Sequence, residues 1–317
     1  MVSYLFPANP LGGSSWTVDD HFSLECATVA ASNPVALLDS YSLGDRIPRM
    51  SVPEDFSNPV VYRGWMLSEA EYRRLESAVT ARGLALATTA ESYMRAHSIR
   101  GWLNAFEGLT APTVLIPASA DQTTVLAAAD SIPSEYGFFL KGESKSEQGY
   151  NYASGRGALL NLLRDFRDYS GVPENGTLAL RSFVPLDPRV AEVRSWWIAG
   201  ELAFSPVHPN FEGVERISPL TDSMDLRRSM KAFLKKLRPA IRSLENRFLT
   251  ADIALTETGE WTLIEIGDGQ VSGFSRDYGA EEYSYFYRII GHEIEESFRP
   301  EEERLINLMR RSHASRD

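Results

Sequence analysis

Cysteine is almost missing from this chain, and so is lysine. The single cysteine, Cys26, excludes an internal disulfide framework. It lies in HFSLECATVAA, which reads as a helix with an apolar face and positions no histidine or basic residue to activate the thiol, so a buried, inert side chain is expected. Long apolar runs are absent too: nothing approaches the roughly 20 residues that cross a bilayer. The start, MVSYLFPANPLGG, lacks the charged segment, apolar run and small-residue cleavage site of a signal peptide, so a cytoplasmic protein with no membrane partner is expected. Positive charge is in deficit, with 32 basic against 43 acidic residues and a net charge of -11, which makes the surface as a whole a poor footprint for nucleic acid. Internal repeats and low-complexity segments are missing as well.

Lys141, Lys145, Lys231, Lys235 and Lys236 are the only lysines in a chain with 27 arginines. A compact point charge differs from a planar guanidinium fork, so Lys141 and Lys145 stand out, at the end of the apolar run YGFFLKGESK and just beyond it. Lys231, Lys235 and Lys236, with Arg227 and Arg228, read as the solvated face of a long helix.

At 317 residues the chain suits about two domains. Residues 1 to about 90 alternate short β-rich runs (VSYLFPA, PVALLD, PVVYRG, LALATT) with helical segments, the pattern of a small parallel αβ layer. Ser68-x-x-Glu71 is a capping-box start. From 113 to 145 a strand, a helix over Gln122 to Asp130 and a second strand form a unit. Residues 143 to 157 are polar and glycine-bearing and read as a loop suited to covering phosphates, followed by the helix ALLNLLRDFRDYSG. The remainder reads as an antiparallel sheet of TLALRSFVPL, EVRSWWIAG and ELAFSPV, the last two joined by a turn at Ala199-Gly200. A basic-striped helix from about Asp222 to Glu245, a strand pair and closing helices complete it.

That strand pair, FLTADIALTETGEWTLIEIGDGQVSGF (residues 248 to 274), carries the strongest chemical signal. It presents Asp252, Glu265 and Asp268 around a turn at Thr258-Gly259, although packing gives no reason to hold three carboxylates there. Hard oxygen ligands suit Mg²⁺, which usually carries substrate phosphates, so the segment points to a nucleotide.

A strand ending in Lys141 before a polar loop, a strand LALRSFV with Arg181, a strand EVRSWWI with Arg194 and the carboxylate hairpin follow one another in that order. Order and local sequence resemble the ATP-grasp superfamily, in the branch with two arginines and one lysine around the nucleotide, to which the eukaryotic translation-initiation-factor assembly proteins also belong. The resemblance spans nearly the whole chain. It implies an α+β ATP-grasp fold: a pre-ATP-grasp αβ domain over 1–95, an ATP-grasp domain over 96–300 with a small lid subdomain at about 112–180 and a large subdomain at about 181–300, and a C-terminal helix or tail over 301–317.

Residue by residue, the resemblance implies that Lys141 reaches the ATP phosphates, with Ser144 and Lys145 on the covering loop. Arg181, Ser182, Phe183 and Val184 match the hinge whose backbone reads the adenine edge. Arg194, two residues after Glu192, faces the γ-phosphate or an acyl-phosphate. Asp252, Glu265 and Asp268 hold Mg²⁺. The family's metal motif ends Glu-x-Asn, whereas Gly267 stands at that third position here and the acid comes one residue later, on the other face of a regular strand, so Asp268 serves only if the strand has already turned. A first phosphate lysine is absent between residues 95 and 130, so either Arg63 or Arg100 substitutes or the role is lost. Arg63, Gly64 and Trp65 also end a strand at the carboxyl side of the N-terminal layer, where αβ sheets bind ligands. His208, in the proline-flanked SPVHPNF, reads as a solvated loop residue, and Trp196 and Trp197 as core and rim.

The activity implied is an ATP- and Mg²⁺-dependent ligase that joins a carboxylate to an amine acceptor, a peptide or protein among the candidates. The alternative is a nucleotide-binding assembly factor for a protein client with little turnover.

Overall fold

The computed structural model describes residues 1–9, 16–44, 48–144, 151–169, 176–211, 216–275 and 278–299. Its N-terminal layer is a four-stranded sheet in the order β3-β2-β1-β4, made of β1 (Ser3–Pro7), β2 (Val35–Leu38), β3 (Met50–Ser51) and β4 (Val60–Tyr62). β1 runs parallel to β2 and β4, as short apolar strands separated by helices require, and β3 joins antiparallel. Helix α1 (Ser23–Ala30) and helix α2 (Glu69–Thr80) belong to this layer, and Ser68 caps α2 in the full reciprocal box with Glu71. LALATT forms no strand; only an isolated bridge joins Leu86 to Val60. Cys26 is buried and unpaired, and burial, with the neighbouring Glu25, pushes its thiol up to about 11.

Helices α3 (Ala90–His97) and α4 (Ile99–Trp102) lead to a second sheet ordered β5-β8-β6-β7, with β5 (Thr113–Pro117), β6 (Phe138–Gly142), β7 (Tyr152–Ala153) and β8 (Thr177–Ser182). Helices α5 (Gln122–Asp130) and α6 (Arg156–Tyr169) cover one face through Val125, Leu159, Leu163, Leu140 and Leu180. Here the expected grouping is corrected: TLALRSFVPL does not join the sheet of EVRSWWIAG but fills the centre of this one, between β5 and β6. All six of its strand residues are buried, as a central strand demands.

The third sheet is ordered β10-β9-β11-β12, with β9 (Val193–Ile198), β10 (Glu201–Phe204), β11 (Phe248–Leu255) and β12 (Trp261–Asp268). Ala199 and Gly200 both take positive φ, 49° and 80°, the two-residue turn that matches strand twist in a hairpin. One face packs on helix α7 (Met224–Ser243) through Trp197, Leu249, Ala251 and Ile253. The other packs Trp196, Ile198 and Phe248 against helix α8 (Ala280–Phe298) and the N-terminal layer, so Trp196 and Trp197 are both core. Lys231, Lys235 and Lys236 lie on the exposed side of α7. Among the described residues no helix is long and apolar enough to cross a membrane. The tail over 301–317 lies outside the described residues.

Candidate functional site

The charged row begins with strand register. Asp252 on β11 pairs directly with Arg194 on β9 and with Glu265 on β12. Directly opposed residues of antiparallel strands share a face, so Arg194, Asp252 and Glu265 stand side by side on the face away from α7. A bulge makes this alignment: Asp252 pairs with Glu265 but Ile253 pairs with Leu263, leaving Ile264 as the extra residue. Leu263 points into the core against α7. Without the extra residue Glu265, two positions on, would point there too.

Lys141 and Arg181 come to this row from the second sheet. Lys141, buried to 2% exposure, sets its Nζ 3.1 Å from Glu265 Oε1. Arg181 donates from Nη1 to the carbonyl of the bulged Ile264 at 2.9 Å, from Nη2 to Thr110 Oγ1 at 2.6 Å and from Nε to Thr113 Oγ1 at 3.2 Å. Burial lowers its guanidinium to about 10, against the opposing pull of Glu265. Cations on one sheet thus face acids on another.

Arg194 grips Asp252 with both prongs, Nε to Oδ1 and Nη2 to Oδ2, each at 2.8 Å, and its Nη1 donates to the Gly273 carbonyl at 3.1 Å. Burial opposes ionisation of Asp252, yet the charge and hydrogen bonds of Arg194, with His208, outweigh it and hold the carboxyl well below the usual range. Glu192 behaves in the opposite way: burial raises its carboxyl to about 7, with Asp252 adding to the rise and His208 and Arg194 opposing it.

Several expected residues are placed otherwise. Asp268 is still within β12, opposite Leu249, and is fully buried away from Glu265. Asn246 donates to its Oδ2 at 2.8 Å, and the Gln270 backbone and side chain donate to its Oδ1 at 2.9 and 3.1 Å. Burial, partly offset by these donors, pushes its carboxyl up to about 6. The strand has not turned at this residue, so parity sends it to the face of Leu249 and Ile266. Arg63 is also withdrawn from any phosphate: it pairs with Glu25 at 2.8 Å, donates to the Tyr287 hydroxyl and serves the carbonyls of Gly269, Gln270 and Ser272. Arg100 turns to Thr177 and Glu143.

At the hinge, the Ser182 N–H donates to Pro112 and the Phe183 N–H to Gly137, while the Ser182 hydroxyl donates to Pro133. These groups are spent inside the second sheet. The Phe183 ring lies 4.6 Å from that of Tyr152, and Val184 follows, half-buried. Ser144 is half-buried just after β6, and Lys145 lies outside the described residues.

Sequence reasoning took His208 for a solvated residue, which its burial corrects, and passed over Asn246. His208 is 7% exposed, with its Nε2 3.4 Å from Asp252 Oδ2 and its Nδ1 accepting from the Asn210 N–H at 3.1 Å. Asn246 ties Asp268 to the Ser92 carbonyl. For Asn246, its place just before the carboxylate strand was the available signal.

Asp252 and Glu265 offer hard oxygens on one face, a set that fits Mg²⁺ in its usual mode of one or two carboxylates completed by substrate phosphates. A protein-only cage is a poorer match, because among the described residues no group of three or more His, Cys, Asp or Glu side chains is arranged to hold a metal.

The family model for the ATP-grasp domain of the two-arginine, one-lysine clade, family 3, matches residues 120–288. Among solved structures, the D-alanine–D-alanine ligase from Bacillus anthracis, complexed with ATP, is similar at a TM-score of 0.61 and 9% identity, over 92% of this chain and 96% of that one. An N5-carboxyaminoimidazole ribonucleotide synthetase in complex with ADP is similar at 0.58 and 12%, over 92% and 77%. D-cycloserine synthetase is similar at 0.56 and 13%, over 92% and 99%. At these identities the likeness is one of fold. No curated protein matches the chain. With more than half of its length matched by the family model, from α5 into α8 and through all five strands that carry the charged residues, the chain belongs to family 3 of the two-arginine, one-lysine clade of ATP-grasp domains.

Proposed function

We propose that this protein is an ATP- and Mg²⁺-dependent ligase that joins a carboxylate to an amine. The observation that carries the reading is the opposition of Lys141 to the row Glu265, Asp252 and Arg194 within an ATP-grasp chain. Lys141 would meet phosphate oxygens as a point charge, and the fork of Arg194 would meet the transferring phosphoryl group or the acyl-phosphate. Glu265 and Asp252 would hold Mg²⁺, which when bound neutralises phosphate charge. In the reaction a substrate carboxylate oxygen attacks the γ-phosphorus and ADP leaves. The amine then attacks the acyl carbon, inorganic phosphate leaves, and an amide forms with loss of the amine proton. No protein nucleophile is needed, in keeping with the buried thiol of Cys26. Positioning and charge carry such a reaction.

Calorimetric titration with a non-hydrolysable ATP analogue, with and without Mg²⁺, tests the nucleotide site. Mg²⁺-dependent binding that is lost in Lys141→Ala is expected, and failure of the wild type to bind would end the assignment. ADP release is then followed over a panel of carboxylates and amines. Tight binding with no release under any mixture would overturn the ligase and leave the assembly factor.

A further inference from the structure

We infer that His208 is a positioning residue, the partner that takes over Asp252 when Arg194 turns to phosphoryl oxygens; this rests on the nucleotide-site reading above. His208 lies beyond β10 on a segment drawn onto β9. Val207 bridges Val193, and the His208 N–H donates to the Glu192 carbonyl at 2.9 Å. Because its Nδ1 accepts from the Asn210 N–H at 3.1 Å, the neutral ring carries its proton on Nε2. That nitrogen sits 3.4 Å from Asp252 Oδ2 and 2.5 Å from Arg194 Nη2.

An arginine nitrogen only donates. Two N–H groups therefore converge on one carboxylate oxygen, Oδ2, which Arg194 Nη2 reaches at 2.8 Å. The two donors crowd each other, and they are not equally free to yield. The imidazole is buried and anchored through its own backbone and its Nδ1, whereas the guanidinium rides on a long arm. Withdrawal of Arg194 toward an anion relieves the crowding and leaves Oδ2 to His208 Nε2–H. Oδ2 then keeps a donor, while Oδ1, which Arg194 also releases, would be left for Mg²⁺. Without His208, a move of Arg194 toward phosphate leaves Oδ2 of this buried carboxylate with no side-chain donor.

The two ring nitrogens have separate neighbours, so two amide replacements separate their roles. His208→Gln places an amide N–H near the position of Nε2. His208→Asn is shorter and keeps only an acceptor for the Asn210 N–H. The assay is calorimetric affinity for Mg²⁺ with adenylyl imidodiphosphate, with thermal melting of each nucleotide-free variant as the folding control. The expected result is that His208→Gln stays near wild type while His208→Asn and His208→Ala each weaken binding by about tenfold or more, the worth of a hydrogen bond to a charged group. Retention in His208→Asn with loss in His208→Gln would make His208 a loop anchor and overturn the proposal. Equal retention in all three variants, or equal loss, would overturn it too. Failure of the wild type to bind is a different result: it removes the nucleotide site itself.

Discussion

Glu265→Gln is expected to tighten the binding of metal-free nucleotide, although it removes a carboxylate assigned to the metal. The reason is the ion pair that Glu265 makes with Lys141, 3.1 Å apart with the lysine side chain 3% exposed. Two unit charges about 4 Å apart at an effective dielectric near 20 attract by roughly 4 kcal/mol, which is a ceiling. The Glu265 side chain is 28% exposed, and the glutamine oxygen still accepts a hydrogen bond. The net coupling is therefore closer to that of a hydrogen bond to a charged group, about 1.5–3 kcal/mol. A phosphate approaching without Mg²⁺ must displace Glu265 from Lys141 in the wild type but only a neutral amide in the variant. Affinity for the analogue in EDTA should rise about 10- to 100-fold. With Mg²⁺ the variant lacks a ligand and binds more weakly than wild type, so the enhancement by Mg²⁺ shrinks from both ends. Lys141 is left with a weaker partner, so the variant melts earlier, and metal-free nucleotide restores more stability to it than to the wild type. Paired titrations in EDTA and in Mg²⁺ decide the matter. A metal-free affinity no higher than that of the wild type refutes the argument that the ion pair competes with phosphate.

Asp268 predicts a pH dependence. Its carboxyl is raised to about 6 in the fold and lies near 4 in an unfolded chain, so the folded state binds the proton more tightly. Its contribution is then most favourable below about pH 4 and worsens as pH rises through 6, by up to roughly 3 kcal/mol. Asp268→Asn removes that slope whatever its constant offset, and leaves Mg²⁺-nucleotide affinity unchanged because the side chain faces away from Glu265. Urea unfolding of both proteins from about pH 4 to 8 checks this, equal slopes being the adverse result. Arg63→Met strands the buried Glu25 and three carbonyls and should cost about 3–5 kcal/mol, partly recovered by adding Glu25→Gln; a loss under about 1 kcal/mol would contradict the ion-pair account. Cys26 should resist a thiol reagent in the native protein at about pH 8 and react on unfolding, since its thiol is raised to about 11; fast native labelling would count against its burial.

What was legible in the chain was what short-range chemistry determines. The capping box at Ser68, the helix over Gln122–Asp130 and the turns at Ala199-Gly200 and Thr258-Gly259 each need only a few neighbouring residues, and each is where the sequence puts it. The row of Arg194, Asp252 and Glu265 was legible in residue types and strand order. Its third acid was not, and the reason is parity. Strict alternation from Trp261 and Leu263 sends Glu265 into the core and Asp268 out to the face of Asp252, whereas the extra Ile264 reverses both. Nothing in WTLIEIGD marks that bulge. Its freed carbonyl is taken up by Arg181, 83 residues earlier on another sheet, and a contact of that range has no local trace. Arg63 and His208 illustrate the same limit from opposite sides. Arg63 ends a strand where ligands bind, yet Glu25 and Tyr287, 38 and 224 residues away, claim it for the core. His208 sits between prolines like a solvated loop residue, yet the bridge from Val207 to Val193 draws it onto Asp252. In a site built by opposing sheets, the chemistry of each side chain is local, but whether it meets substrate or scaffold depends on which distant partner reaches it first.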